Sequence, residues 1–415
     1  MRGFRMGLLN FAPLDATLSS PGPSPSPPAS PQALKRARWA TRLQFGVLGG
    51  LAGAWGAHIP SVKQHFALTE GRLALVLLAA GIGAILALGV AGRVVARLGA
   101  RRTVQAAGLA MSLALAGFLQ LDSLALVWPL ALVFGLGMSL FDVAINTEGS
   151  ELEHQGGRAL MSNLHALFST GGMLGAACVA LLLRAGMAPA HQLAAIGAVL
   201  AVAVVWGSRG MLAVHPVAPG EAGQGEAAHF AWPRGLLLVL GLLVLAGMIA
   251  EGVMYDWCVL YLQQELGLSA ARAAWGYAAF SGAMALARFG GDALRERFSE
   301  RRLLAVGASM AALAMAVVLL SASPAVAFVG FVLVGAGLAP VAPVLFNAAT
   351  RVPGVSRAAA IAAVTSIGYS GFLIGPPLIG ALAQAATLTA ALSVVVVGAS
   401  LLALGARWVP GRASA

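Results

Sequence analysis

Twelve apolar runs follow one another between residues 39 and 408, near 39–60, 71–92, 103–121, 124–147, 159–184, 191–212, 234–262, 270–290, 302–321, 324–348, 358–384 and 387–408. Each is close to the ~20 residues that a helix needs to cross about 30 Å of hydrocarbon. The runs are continuously apolar rather than alternating, which suits helices and not the strands of a lipid-facing barrel. The chain is 59% hydrophobic and 10% charged, whereas a soluble domain carries about 25% charge. No soluble core hides so much apolar surface, so lipid is the solvent for most of the chain. The expected fold class is all-α and transmembrane.

The formal net charge of +11 does not mark a nucleic-acid binder, because the basic residues sit in short loops between apolar runs and not on one polar face. Counting loops alternately, 22 of the 26 Lys and Arg residues fall on one side, with Lys63, Arg72, Arg184 and Arg272 on the other. That bias places both termini in the cytoplasm. Residues 1–38 are rich in Pro and Ser, hold no apolar stretch long enough for a cleaved signal, and read as a disordered cytoplasmic tail. A polar gap at 213–233 reads as a cytoplasmic linker between six-helix bundles at 39–212 and 234–408, with a short tail at 409–415.

The two bundles look like copies. The basic loop from Gly92 to Arg102 recurs 200 positions later, with Arg97, Arg101 and Arg102 returning as Arg297, Arg301 and Arg302. At the same offset and without gaps, Gln64 meets Gln264, Arg72 meets Arg272, Gly135 and Gly137 meet Gly335 and Gly337, and Gly171 and Gly175 meet Gly371 and Gly375. Small residues at such spacings let apolar helices approach closely. A duplicated bundle with pseudo-two-fold symmetry follows.

Six plus six helices, a central linker and a basic loop between spans 2 and 3 of each half resemble the major facilitator superfamily, over residues 39–408. The family's loop signature is Gly-x-x-x-Asp-Arg-x-Gly-Arg-Arg. Gly92, Arg97, Gly99 and Arg101 fit it, with Ala96 in place of the acid. The second copy supplies Glu296 and Arg297, with Asp292 and Ser299 in place of the glycines. The resemblance implies a gate in which that acid pairs with neighbouring helices, and Ala96 removes it from the first half. The strings Asp142-Val-Ala-Ile-Asn146, Met161-Ser-Asn-Leu-His165 and Glu251-Gly-Val-Met-Tyr-Asp-Trp257 resemble the YbjJ-like branch, distantly similar to fucose-type sugar permeases.

An ionisable group inside a span is costly and is a functional candidate by default. Glu251 on span 7 leads as the proton site, with Tyr255 on its face and Asp256 pointing elsewhere, nearer the outer surface. Asp142 and Asn146 share a face of span 4, and His165 enters on span 5. Asp142 and His165 either exchange a coupling proton or belong to hydrogen bonds that tie the two spans together. Glu148, Glu151, Glu153 and Arg158 are placed in the turn between, as solvated charges or a gate ion pair. Trp55, His58, Asn347 and Tyr369 are further cavity candidates, since aromatic faces with a few polar groups suit sugar-like solutes. Trp39, Trp128, Trp232 and Trp408 read as interface anchors, and Arg288 as a snorkelling or paired charge. Pro340, Pro343, Pro376 and Pro377 are expected to break backbone hydrogen bonds and bend spans 10 and 11, as gating bends or as static kinks.

There is no phosphate-binding loop for ATP, no metal-spaced His/Cys cluster and no segment that could form a soluble catalytic domain. No enzyme and no cofactor is expected. The reading is a monomeric secondary transporter of the bacterial inner membrane, whose partners are lipid, a proton and a small polar, sugar-like solute carried by symport. A proton-antiport drug exporter is the alternative, and a non-transporting membrane sensor a more distant one.

Overall fold

The computed structural model describes residues 30–212 and 234–410. The expected tail at 1–38 lies outside the described residues as far as residue 29, as do the linker at 213–233, Trp232 within it, and residues 411–415. From Pro31 onward the expected tail is already helical. Ser30 caps this helix by accepting from the Ala33 backbone N–H, and a proline at the first position needs no N–H there.

The first half holds α1 (Pro31–His65), α2 (Glu70–Leu98), α3 (Ala100–Gly117), α4 (Leu124–Gly156), α5 (Met161–Arg184) and α6 (Pro189–Ser208). The second holds α7 (Leu236–Gln264), α8 (Ala270–Phe289), the short α9 (Gly291–Arg297) and α10 (Glu300–Ser321). A tenth span follows in two pieces, α11 (Pro324–Leu338) and α12 (Val341–Ala349). The eleventh is likewise split, into α13 (Arg357–Tyr369) and α14 (Gly371–Ala385), and α15 (Leu388–Gly405) is the last. Nine helical segments among the described residues are long and apolar enough to cross a membrane. The other three spans, α1, α3 and α8, are richer in Ala, Gly and polar residues. Leu113, Leu286, Leu313 and Leu320 point outward with 68–86% of their surface exposed, which suits acyl chains and not water.

The 200-residue repeat is visible as packing. Gly135 of α4 lies against the Ala80 carbonyl of α2, where an added methyl would sit 1.8 Å from the oxygen. Gly335 of α11 lies against the Phe280 carbonyl of α8, where the same methyl would sit at 2.2 Å. Both partners are 200 apart, as are the glycines. Gly137 packs on Ala107 and Met111 of α3, and Gly337 on Gly307 and Ala311 of α10, at the same offset. The contact between halves obeys the exchange too. Gly81 meets Phe372, and Gly172 meets Ser281. Accordingly α5 packs on α8, and α14 on α2.

Span 10 breaks at Pro340, as the sequence implies, and Pro343 falls in the first turn of α12, where the backbone N–H has no helical partner anyway. Span 11 differs. It breaks at Ser370, while Pro376 and Pro377 lie inside α14. Pro376 has no N–H for the Phe372 carbonyl four residues back, and that carbonyl is the one that Gly81 approaches. The two prolines thus free a backbone acceptor for helix contact rather than ending the helix.

Gly135→Ala is expected to cost about 1–3 kcal/mol or more by overpacking and to lower the Tm of the purified protein. Gly89→Ala, with open space around it, should leave Tm unchanged or raise it. Equal melting of the two variants would contradict this packing.

Candidate functional site

A cavity of about 670 Å³ lies between the halves. Its wall takes residues from α1, α2, α4 and α5 of the first half and from α7, α8, α12, α13 and α14 of the second. One end is shut. Gly380 of α14 sits against Ala74 and Glu70 of α2, and Gly71 against Gln384. Toward the end carrying the 93–102 and 288–302 loops, the wall continues to Met161, Ser162, Arg288 and Arg295. The cavity therefore reaches toward the basic end.

Glu251 and Arg288 meet on this wall, with Arg288 Nη2 donating to Glu251 Oε1 at 3.2 Å. Side-chain bonds lean toward a helix N-terminus, and α7 and α8 run in opposite directions. Glu251 therefore leans toward the basic end and Arg288 away from it, so the two converge. Arg288 Nη1 also donates to Ser169 Oγ of α5 at 2.7 Å, Ser281 Oγ donates to the Ser169 carbonyl at 2.8 Å, and Ser162 Oγ donates to the Arg288 carbonyl at 3.2 Å. One guanidinium thus joins a carboxylate of its own half to the opposite half. Arg288 is paired, and it does not snorkel.

Asp142 and Asn146 also face the cavity. Asn146 Nδ2 donates to Asp142 Oδ1 at 3.0 Å and to the Asp142 carbonyl at 2.8 Å. His165 lines the same wall, edge-on to Phe45 at 5.5 Å. Among the described residues no hydrogen bond joins Asp142 to His165. Trp55 lines the cavity, packed on Phe118 and Phe134 at 4.2 and 5.6 Å. Tyr255 and Tyr369 line it from the second half, and the Tyr255 hydroxyl reaches Met284 Sδ at 3.4 Å.

Four expectations change. His58 is not on the cavity wall. It is fully buried in the first half, with Nδ1 3.1 Å from Ser61 Oγ and Gln192 of α6 beside it. Asn347 is not on the wall either, and donates to Glu300 Oε1 at 2.5 Å. Asp256, expected to point elsewhere, lines the cavity with Glu251 and Tyr255, because the cavity wraps a wide arc of α7. Glu148, Glu151 and Glu153 lie inside α4, which runs on to Gly156, and not in a turn. Glu148 is fully buried and accepts from the Leu212 backbone N–H at 2.7 Å. Glu151 accepts from Gln155, and Glu153 from the Leu160 and Met161 N–H groups at the start of α5. Arg158 is exposed in the remaining turn.

The basic loops bound the open end. Gly99 turns the chain between α2 and α3 with φ +80°, a conformation that favours glycine. Gly92 has open space around it, so packing does not demand a glycine there. Arg97, Glu296, Arg297 and Arg301 are exposed, and Arg101 is half-buried. In the second copy the buried acid is Glu300, not Glu296. Glu300 is 4% exposed and binds Arg351 as well as Asn347, and Arg351 also donates to the Pro410 carbonyl at 3.2 Å. Sequence reasoning missed this cluster because Glu300 sits where the first copy has Ala100. No group of three His, Cys, Asp or Glu among the described residues could hold a metal ion.

A curated MFS-type transporter of Yersinia pestis is 34% identical over 368 residues, which is 89% of this chain and 94% of the relative. The chain belongs to the major facilitator superfamily. The family description Major Facilitator Superfamily matches residues 236–415. The facilitator fold is shared with the crystal structure of a D-xylose–proton symporter, at TM-score 0.75 and 14% identity, covering 91% of this chain and 97% of that one. The nucleoside transporter NupG matches at TM-score 0.69 and 14% identity, covering 90% and 97%. This facilitator is a multi-pass membrane transporter and not an enzyme.

In it, Glu251→Gln and Arg288→Gln should each leave a charge unpaired, at a cost of about 3 kcal/mol. The double variant should cost clearly less than the sum of the two. A thermal-stability cycle on purified protein checks this, and additive losses within about 0.5 kcal/mol would contradict the pair.

Proposed function

We propose that this facilitator is a secondary active transporter that moves a small polar, sugar-like solute by alternating access, driven by symport with protons. Its basic end faces the cytoplasm of a bacterial inner membrane, with both chain ends on that side, in keeping with the positive-inside bias of its loops. It works as a monomer, and it sits in the branch that resembles YbjJ-like permeases.

The observation that carries the reading is the Glu251–Arg288 pair, placed on the cavity wall with Arg288 also bonded to Ser169 of the opposite half. With Glu251 ionised, the pair fixes the guanidinium. A proton taken up by the carboxylate makes it a neutral acid and removes the ion pair, so the guanidinium is free to leave both Glu251 and Ser169. Release of that proton restores the pair. Protonation is thereby coupled to a contact between the halves, which is what a proton-driven rocking motion needs. Asp142 and His165 remain second candidates for the coupling proton. Around the pair, Trp55, Asn146, Tyr255 and Tyr369 supply aromatic faces with a few polar groups, the kind of wall that suits a sugar-like body.

The test is proton flux in proteoliposomes containing a pH-sensitive dye, with sugars, polyols and nucleosides added in turn. Solute-driven acidification is expected in the native protein and should fall at least about tenfold in Glu251→Gln, since the neutral amide cannot carry the proton. Unchanged flux in the variant would remove Glu251 from coupling.

A further inference from the structure

Three carboxylates line the cavity, and among the described residues an ion pair is seen for Glu251. Glu251 is matched by Arg288, whereas Asp142 and Asp256 have no ion-pair partner among the described residues. An ionised carboxylate in a membrane-embedded wall is costly without a positive partner. Asp142 is also oriented. Asn146 donates to its Oδ1 and its carbonyl, which orients the side chain, and among the described residues Oδ2 takes no hydrogen bond.

The wall of the cavity that Asp142 lines carries aromatic rings from both halves. Trp55 and Phe134 pack together at 5.6 Å in the first half. Tyr369 and Phe372 do so at 5.6 Å in the second, and Tyr369 lines the same cavity as Asp142 from the opposite half. A carboxylate beside electron-rich ring faces is suited to an ammonium group, through a charge-assisted hydrogen bond and cation–π attraction. An ionised Asp142 would itself repel an anionic group placed beside it, and a neutral group would give it no counter-charge.

We infer that the solute carried by this facilitator bears a protonated amine, which Asp142 holds against the Tyr369 ring. The inference rests on the transporter reading and names the substrate class of the same cavity. Asp142 lies on α4 and Tyr369 on α13, so a bound ammonium touches both halves. Occupancy then favours the state in which they approach each other.

The experiment is thermal stability of the purified full chain with matched pairs that differ in an amine, D-glucosamine against D-glucose and putrescine against butane-1,4-diol. A ligand stabilises the form that it binds. The amine member of at least one pair is expected to raise Tm with concentration, and its neutral partner is not. Asp142→Asn should raise the half-maximal concentration roughly tenfold or more, the loss of one charge-assisted bond. Asp122→Asn, at an exposed turn, should not change it. Equal stabilisation by the neutral members, no stabilisation by any of the four, or an amine response untouched by Asp142→Asn would each overturn the inference. The native comparison decides even where Asp142→Asn does not fold. Proton flux through Glu251 is read separately, so loss of amine preference leaves the transport reading standing, and loss of coupling leaves the amine site standing.

Discussion

Lipid offers a helix neither a hydrogen-bond partner nor a hydrophobic incentive to leave it. Spans therefore hold together where backbones come close enough for dispersion and weak C–H···O contacts. In this chain glycines supply such places. Gly135 on Ala80 and Gly335 on Phe280 fix the second span of each half against the fourth, and Gly81 on Phe372 and Gly172 on Ser281 fix one half against the other. All four contacts obey one 200-residue exchange, so the two-fold relation follows from a packing rule written twice. The cavity is the space left when such contacts close one end of the interface and not the other.

The same solvent dictates where charge can go. A polar group in a span must look at another or into the cavity. Two solutions appear side by side. Glu300 with Asn347 and Arg351, and Glu148 with the Leu212 N–H, are buried within a single half and fasten its basic end. Glu251 with Arg288 faces the cavity and reaches Ser169 across the interface. The first kind ties helices within one half, whereas the second joins the two halves across the cavity.

Much of the fold was legible in the sequence because span length, loop charge and the repeat are each written in runs of residues. The break in span 11 was not. Proline marks a missing hydrogen bond, and Pro376 and Pro377 gave no sign that the freed Phe372 carbonyl would be used by another helix. Polar positions were legible as exceptions, but their direction was not. His58 and Asn347 look like cavity residues in sequence, yet a polar side chain in an apolar helix serves a bundle core as readily. Asp256 was set aside on helical periodicity, which fails where a cavity wraps most of a helix. Glu300 carried no signal because its counterpart, Ala100, is apolar.

The central claim is that the two ends of one interface open in turn. Electron–electron distance measurements between spin labels read this directly, with one pair at Arg72 and Ala386 on the closed end and another at Arg97 and Arg297 on the basic end, all exposed. Taken between low and high pH and with added solutes, the two pairs should each show two distance populations, the first lengthening as the second shortens. Single, unchanging distances at both ends, or changes in the same direction, would contradict alternating access.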